Sequence, residues 1–137
     1  MKTIVVGYDD TPAAQRALAR AIELAKAFES QVVVTSVAPV SVSPGRSEGA
    51  LDSSDMPAEH VAELAAARTQ LEGAGVSGEL VPAVGHPADT IAELASQRHA
   101  DLIVVGTREL GIVGRLLGQS VSEGVVHKAD CDVLIVH

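Results

Sequence analysis

Four short runs of this chain carry almost nothing but aliphatic side chains, and they leave little choice of architecture. TIVVG (3–7), QVVVTSV (31–37), DLIVVG (101–106) and DVLIV (132–136) are built from Val, Ile and Leu without regular polar alternation. A strand with one wet face alternates apolar and polar residues. Strands that do not alternate are covered on both faces, the condition of a parallel sheet between two helical layers. A fifth run, GELVPAV (78–84), is weaker. Pro82 has no N–H to give to a ladder, which predicts an edge strand.

Helical spacing fills the intervals. Thr11 followed by Pro12 forms an N-cap and first-turn pair. Beyond it Ala14, Leu18, Ala21, Ile22, Ala25 and Phe28 recur on one predicted face. Pro57 opens a second helix with Val61, Leu64, Ala65 and Leu71 inward, ending near Gly73 and Gly75. Pro87 opens a third with Ile91, Leu94 and Ala95, and a fourth runs from about 115 to 128 with Leu117, Val121 and Val125. The order β-α-β-loop-α-β-α-β-α-β requires right-handed crossovers. It predicts an α/β fold: one domain, residues 1–137, with a three-layer, doubly wound, five-stranded parallel sheet. The stretch from Ala38 to Met56, rich in Ser, Gly, Pro and Asp, exceeds the usual loop length. It reads as a functional flap or a mobile segment, with mobility favoured.

Composition narrows the function. At 137 residues and 47% apolar content there is material for one core, yet Phe28 and Tyr8 are the only aromatics. With a net charge of −8 and no aromatic platform, the chain lacks the basic stripe and stacking surface of a nucleic-acid binder. Apolar runs of about five residues are far below the roughly 20 that span a bilayer, so no membrane partner is expected. The lone Cys131 excludes an internal disulfide framework and fits a reducing cytoplasm. In KADCDVLIV it reads as a small packing residue rather than a redox thiol.

Open α/β sheets bind ligands beyond the carboxyl ends of their strands, where the strand order switches. The segments delivered there are Gly7 to Thr11, Val37 to Val40, Val84 to Pro87 and everything from Gly106. The stretch GTRELGIVGRLLGQS (106–120) leaves a strand, is dense in glycine at 106, 111, 114 and 118, and leads into a helix. Bare backbone amides and a helix N-terminus suit an anion. Neither G-x-G-x-x-G nor G-x-x-x-x-G-K-[ST] is present, so the standard dinucleotide and P-loop fingerprints fail. Asp9 and Asp10 resemble the acidic pair of receiver domains, but no Asp ends the third strand and no Lys follows the fifth. The five histidines, at 60, 86, 99, 127 and 137, show no metal-ligand spacing, and no glycine-flanked serine elbow appears.

TIVVGYDDTPAAQRAL, VGHPADTIAELASQRHADLIVVG and ADLIVVGTRELGIVGRLLGQSVSEGVVHKADCDVLIVH together resemble the universal stress protein family over most of the chain except 38–56. The resemblance implies an adenine nucleotide alpha hydrolase-like sheet of order 3-2-1-4-5 and homodimers paired through the last strand, here Asp132 to Val136. It also implies ATP, AMP or cyclic AMP as ligands, although some members bind no nucleotide. Residue by residue, Asp9 matches the acidic residue near ribose and adenine. Val37 matches the strand-two position whose backbone meets adenine, and Gly85 the strand-three loop. ATP-binding members carry G-x-x-G, nine residues, then G-[ST]. Here Gly106 matches the first glycine and Ser120 the hydroxyl, followed by Val121. Glu109 replaces the second glycine and Gln119 the third, unless a compensated insertion makes Gly118 the third. Arg108 and Arg115 are the local cations.

A carboxylate about 4 Å from a phosphate charge costs roughly 1 kcal/mol in water and about 4 at an effective dielectric of 20. Tight ATP binding is therefore disfavoured against a single-phosphate nucleotide or an empty site. The expected function is a non-enzymatic, cytoplasmic, homodimeric stress-response regulator with an adenine-nucleotide site remodelled at Glu109 and Gln119. The alternatives are a dimeric interaction module that binds a protein partner and no nucleotide, and a weak ATPase or autophosphorylating protein. The last is least supported, because no general base or metal carboxylate pair stands near Gly106.

Overall fold

A computed structural model describes residues 1–38, 58–107 and 121–137. Five parallel strands, β1 (Thr3–Gly7), β2 (Gln31–Ala38), β3 (Gly78–Val84), β4 (Leu102–Gly106) and β5 (Asp132–Val136), form one sheet in the order 3-2-1-4-5. The helices are α1 (Pro12–Phe28), α2 (Ala58–Gly73), α3 (Pro87–Gln97) and α4 (Val121–Lys128). β1 is central, pairing Val5 with Val33 of β2 on one side and Ile103 of β4 on the other. β3 lies at an edge, as Pro82 requires.

The aliphatic runs explain the layers. Side chains alternate across a strand, so each unbroken run feeds two cores. Ile4, Val6, Val32, Val34, Leu102 and Val104 pack beneath α1 and α2. Val5, Val33, Ile103 and Val105 pack beneath α3 and α4, against Ile91, Leu94, Ala95 and Val125. The buried stripe of α1 is mostly alanine, which brings the helix axis close to the sheet. Thr11 caps that helix by accepting the Ala14 N–H at 3.2 Å, and Pro12 occupies its first turn. Glu29 ends it in the left-handed region at φ 55°.

The structure departs from the sequence expectation at four places. Phe28 is 55% exposed, because the α1 stripe ends at Ala25 before the chain turns. In α2, Val61 is 56% exposed and Ala65 is also exposed, whereas His60, Leu64, Ala67 and Leu71 are buried. The inward face is thus set by His60, a polar residue that finds a polar partner on β2. Asp101 stands just before β4 rather than in it, its carboxylate accepting the N–H groups of Lys2 at 2.6 Å and Thr3 at 3.1 Å. Ala38 belongs to β2, paired with Val84. The rest of the long segment, 39–57, lies outside the described residues, as does 108–120, the expected start of α4 included.

Candidate functional site

Three strand ends open into one cleft. β1 runs out through Gly7, Tyr8 and Asp9, β2 through Thr35, Ser36 and Val37, and β4 through Val105 and Gly106. Helix starts close the sides, with Thr11 and Ala14 at α1 and Pro87 and Ile91 at α3, and Val121 of α4 joins them. Glu63 reaches in from α2. The empty space is about 550 Å³, open mouth included. The position follows from topology. From β1 the chain moves outward to β2 and β3, then crosses back to β4, so β1 and β4 part at the strand-order switch. The positive dipole ends of α1 and α3 face it.

The first loop is tightly wired. Asp9 Oδ1 accepts the Thr11 hydroxyl at 2.6 Å and the Thr11 N–H at 3.2 Å. Asp10 sits at φ 57°, a conformation that aspartate tolerates better than most residues. It is pinned there by the Tyr8 hydroxyl at 2.7 Å and by Gln15 Nε2 at 3.1 Å. Burial, then the hydrogen bond to Asp10 and the charges of Asp10, Asp9 and Glu63, raise the Tyr8 pKa, so its phenol stays a neutral donor.

Gly106 lines the cleft, but packing alone demands a glycine there. A Cβ would lie 2.6 Å from the carbonyl carbon and oxygen of Ala13 and 2.9 Å from its Cβ. Gly85 has φ 148°, and its N–H donates to Ala38 O at 2.9 Å. It is not among the residues that line the cleft. Of the expected site residues, the structure brings Asp9, Val37, Gly106 and Val121 together. Arg108, Gly118 and Ser120 lie outside the described residues, together with Glu109 and Gln119.

The sequence reading missed the far wall. The Ser36 hydroxyl donates to Glu63 Oε2 at 2.6 Å and lies 2.9 Å from His60 Nδ1. His60 Nδ1 is in turn 3.0 Å from Glu63 Oε2. Ser36 has one hydroxyl proton, and it goes to the carboxylate, which assigns the imidazole proton to Nδ1. This is not a hydrolytic relay, which needs hydroxyl and carboxylate on opposite ring nitrogens. Here both meet Nδ1, and the cluster is a device for holding a carboxylate still. On the opposite face of β2, Thr35 is fully buried and its hydroxyl has no hydrogen-bond partner among the described residues. Leaving such a group unpaired costs about 1–3 kcal/mol. Two signals were present in the sequence: paired hydroxyls at the end of the aliphatic run QVVVTSV, and His60 with Glu63 one helical turn apart.

A three-layer parallel sheet with a cleft at its strand-order switch, acidic at Asp9 and Glu63 and glycine-lined at β4, defines a doubly wound α/β protein with one candidate ligand cleft among the described residues. The profile of the universal stress protein family matches residues 1–137, and the chain belongs to that family. A universal stress protein of Mycobacterium tuberculosis H37Rv, Rv1636, is 36% identical over 142 residues, covering 99% of this chain and 96% of the relative. The crystal structure of a universal stress protein in complex with cAMP is 33% identical with a TM-score of 0.81, covering 99% of this chain and 97% of that one. The Archaeoglobus fulgidus universal stress protein in complex with dAMP is 27% identical with a TM-score of 0.76, covering 100% and 98%. The sheet order and helix placement are those of the adenine nucleotide alpha hydrolase-like fold. Among the described residues no helix is long and apolar enough to cross a membrane.

Proposed function

We propose that this protein is a non-enzymatic, cytoplasmic regulator that binds an adenine mononucleotide, AMP or cyclic AMP, in the cleft between β1 and β4. The observation that carries this reading is the polarity of the cleft. Asp9 offers a fixed acceptor for ribose hydroxyls, while Gly106 and the first turn of α4 at Val121 stand at the other end. Relatives of the same fold bind cAMP and dAMP, ligands with one phosphate. In the family motif Glu109 replaces a glycine of ATP-binding members, and Gln119 replaces another unless a compensated insertion brings Gly118 there; a carboxylate in that loop repels each added phosphate, so ATP is held more weakly. The functional unit is a homodimer joined along β5, residues Asp132–Val136, whose outer edge has no neighbouring strand among the described residues.

The test is direct. Purified protein is denatured and the released small molecules identified, then thermal shifts are recorded with AMP, cyclic AMP and ATP. A mononucleotide at 100 times its dissociation constant stabilises the fold by about 2.7 kcal/mol. AMP or cyclic AMP should act at lower concentration than ATP. No shift with any of them at millimolar concentration would favour an interaction module instead. Sedimentation of the same samples should give one species at twice the 14.1 kDa chain mass.

A further inference from the structure

We infer that Glu63 selects the base of the nucleotide by recognising an exocyclic amino group. The inference rests on the mononucleotide reading above and adds a residue and a selection rule to it. Three observations carry it. Glu63 lines the cleft although it belongs to α2, outside the strand-end loops that shape the rest of the site. Its side chain is only 18% exposed and is clamped through one oxygen, Oε2, by Ser36 at 2.6 Å and His60 at 3.0 Å. Finally, both contacts fall on Oε2, so the carboxylate keeps acceptor capacity at Oε1.

The wall sits at the β2 end, two strands away from Gly106 on β4. A ligand with its phosphate near Gly106 therefore brings its base to Glu63. An ionised carboxylate only accepts hydrogen bonds. The exocyclic amine of adenine satisfies it. Hypoxanthine and guanine put a carbonyl oxygen where the amine would be, lone pairs facing a fixed negative charge. The Ser36–His60 clamp matters because it stops Glu63 from swinging away from the wrong base. No cation lines the described part of the cleft to relieve that repulsion.

AMP and inosine monophosphate differ at this edge alone, and titration calorimetry with both reads the selection. The intact protein should bind AMP at least about tenfold more tightly, the ratio set by one charge-assisted hydrogen bond. Glu63→Gln, which presents either an amine or a carbonyl, should bring the two affinities within about threefold of each other. Thr35→Val, a near-isosteric change on the opposite face of β2, should leave the parent ratio unchanged. If Glu63→Gln does not fold, Ser36→Ala, which releases the carboxylate, must show the same narrowing. AMP binding with an unchanged ratio in the Glu63 or Ser36 variant overturns the inference and leaves the mononucleotide reading intact. Failure of the intact protein to bind AMP, inosine monophosphate or cyclic AMP overturns both.

Discussion

Replacing Gly106 by alanine should damage the protein through packing before any ligand is considered. The added Cβ would sit 2.6 Å from the carbonyl carbon and oxygen of Ala13, whereas apolar atoms rest at about 3.5–4.0 Å. The start of α1 would have to retreat from β4 by about 1 Å. Ala13 is 3% exposed and belongs to helix backbone, so no side-chain rotation can absorb the shift. The cost should fall at the upper end of the usual overpacking range, about 2–3 kcal/mol. With a urea slope of about 2 kcal/mol per molar, the unfolding midpoint drops by roughly 1 to 1.5 M. Two other glycines calibrate the argument. At Gly7 the new Cβ would meet Ile91 Cδ1 at 2.7 Å, the end of a side chain that can turn, so the loss should be smaller, about 1 kcal/mol. At Gly73, the last residue of α2, nothing lies within 4 Å, and alanine should be neutral or stabilising by up to about 0.5–1 kcal/mol. The expected order of midpoints is Gly73→Ala, Gly7→Ala, Gly106→Ala, from highest to lowest. A Gly106→Ala midpoint within 0.2 M of the parent would refute the packing reasoning and return Gly106 to a ligand-approach role alone.

Two further outcomes follow from ionisable groups. The N–H groups of Lys2 and Thr3 hold the Asp101 carboxyl below its ordinary pKa of 3.8. A depressed folded pKa contributes stability that is present above the unfolded value and lost as pH falls through the folded one. The stability gap between the protein and Asp101→Asn should therefore be full near neutral pH and close below pH 3.8; a gap independent of pH in urea titrations would sink this account. Burial, followed by the charges of Asp132, Asp101 and Asp130, raises the Cys131 thiol above its ordinary 9.0. Iodoacetamide should modify it slowly at neutral pH, with a half-maximal rate above pH 9.0, and rapid alkylation at pH 7 would contradict the packing role.

The site shows how far local pattern reaches. Asp9, Val37 and Gly106 were legible as cleft-lining because each falls at a strand end that the sequence marks by itself, whereas Val121 came only with the family motif. Glu63 was not legible. It lies mid-helix, on a face that hydrophobic spacing placed one residue away, with Val61 inward instead of His60. The error has a physical cause: His60 is buried because Ser36 and Glu63 satisfy its ring, and partners distant in sequence are invisible to a periodicity argument. Gly106 was legible as a candidate site glycine, but the packing reason that requires glycine there was not. The sequence suggested close approach of a ligand, and the structure adds Ala13.

What the sequence determined alone is the architecture. Non-alternating aliphatic runs can be buried only between two layers, and the strand–helix succession admits parallel pairing with right-handed crossovers. The edge position of β3 was likewise written in Pro82. What only the tertiary structure decided is which side chains face one another across the cleft. Pairing β2 with β1 brings Thr35 and Ser36 beside Asp9, and docking α2 on β2 brings Glu63 and His60 to Ser36. Those meetings depend on strand register and helix rotation, which are fixed by the summed packing of both cores and not by any local run of residues.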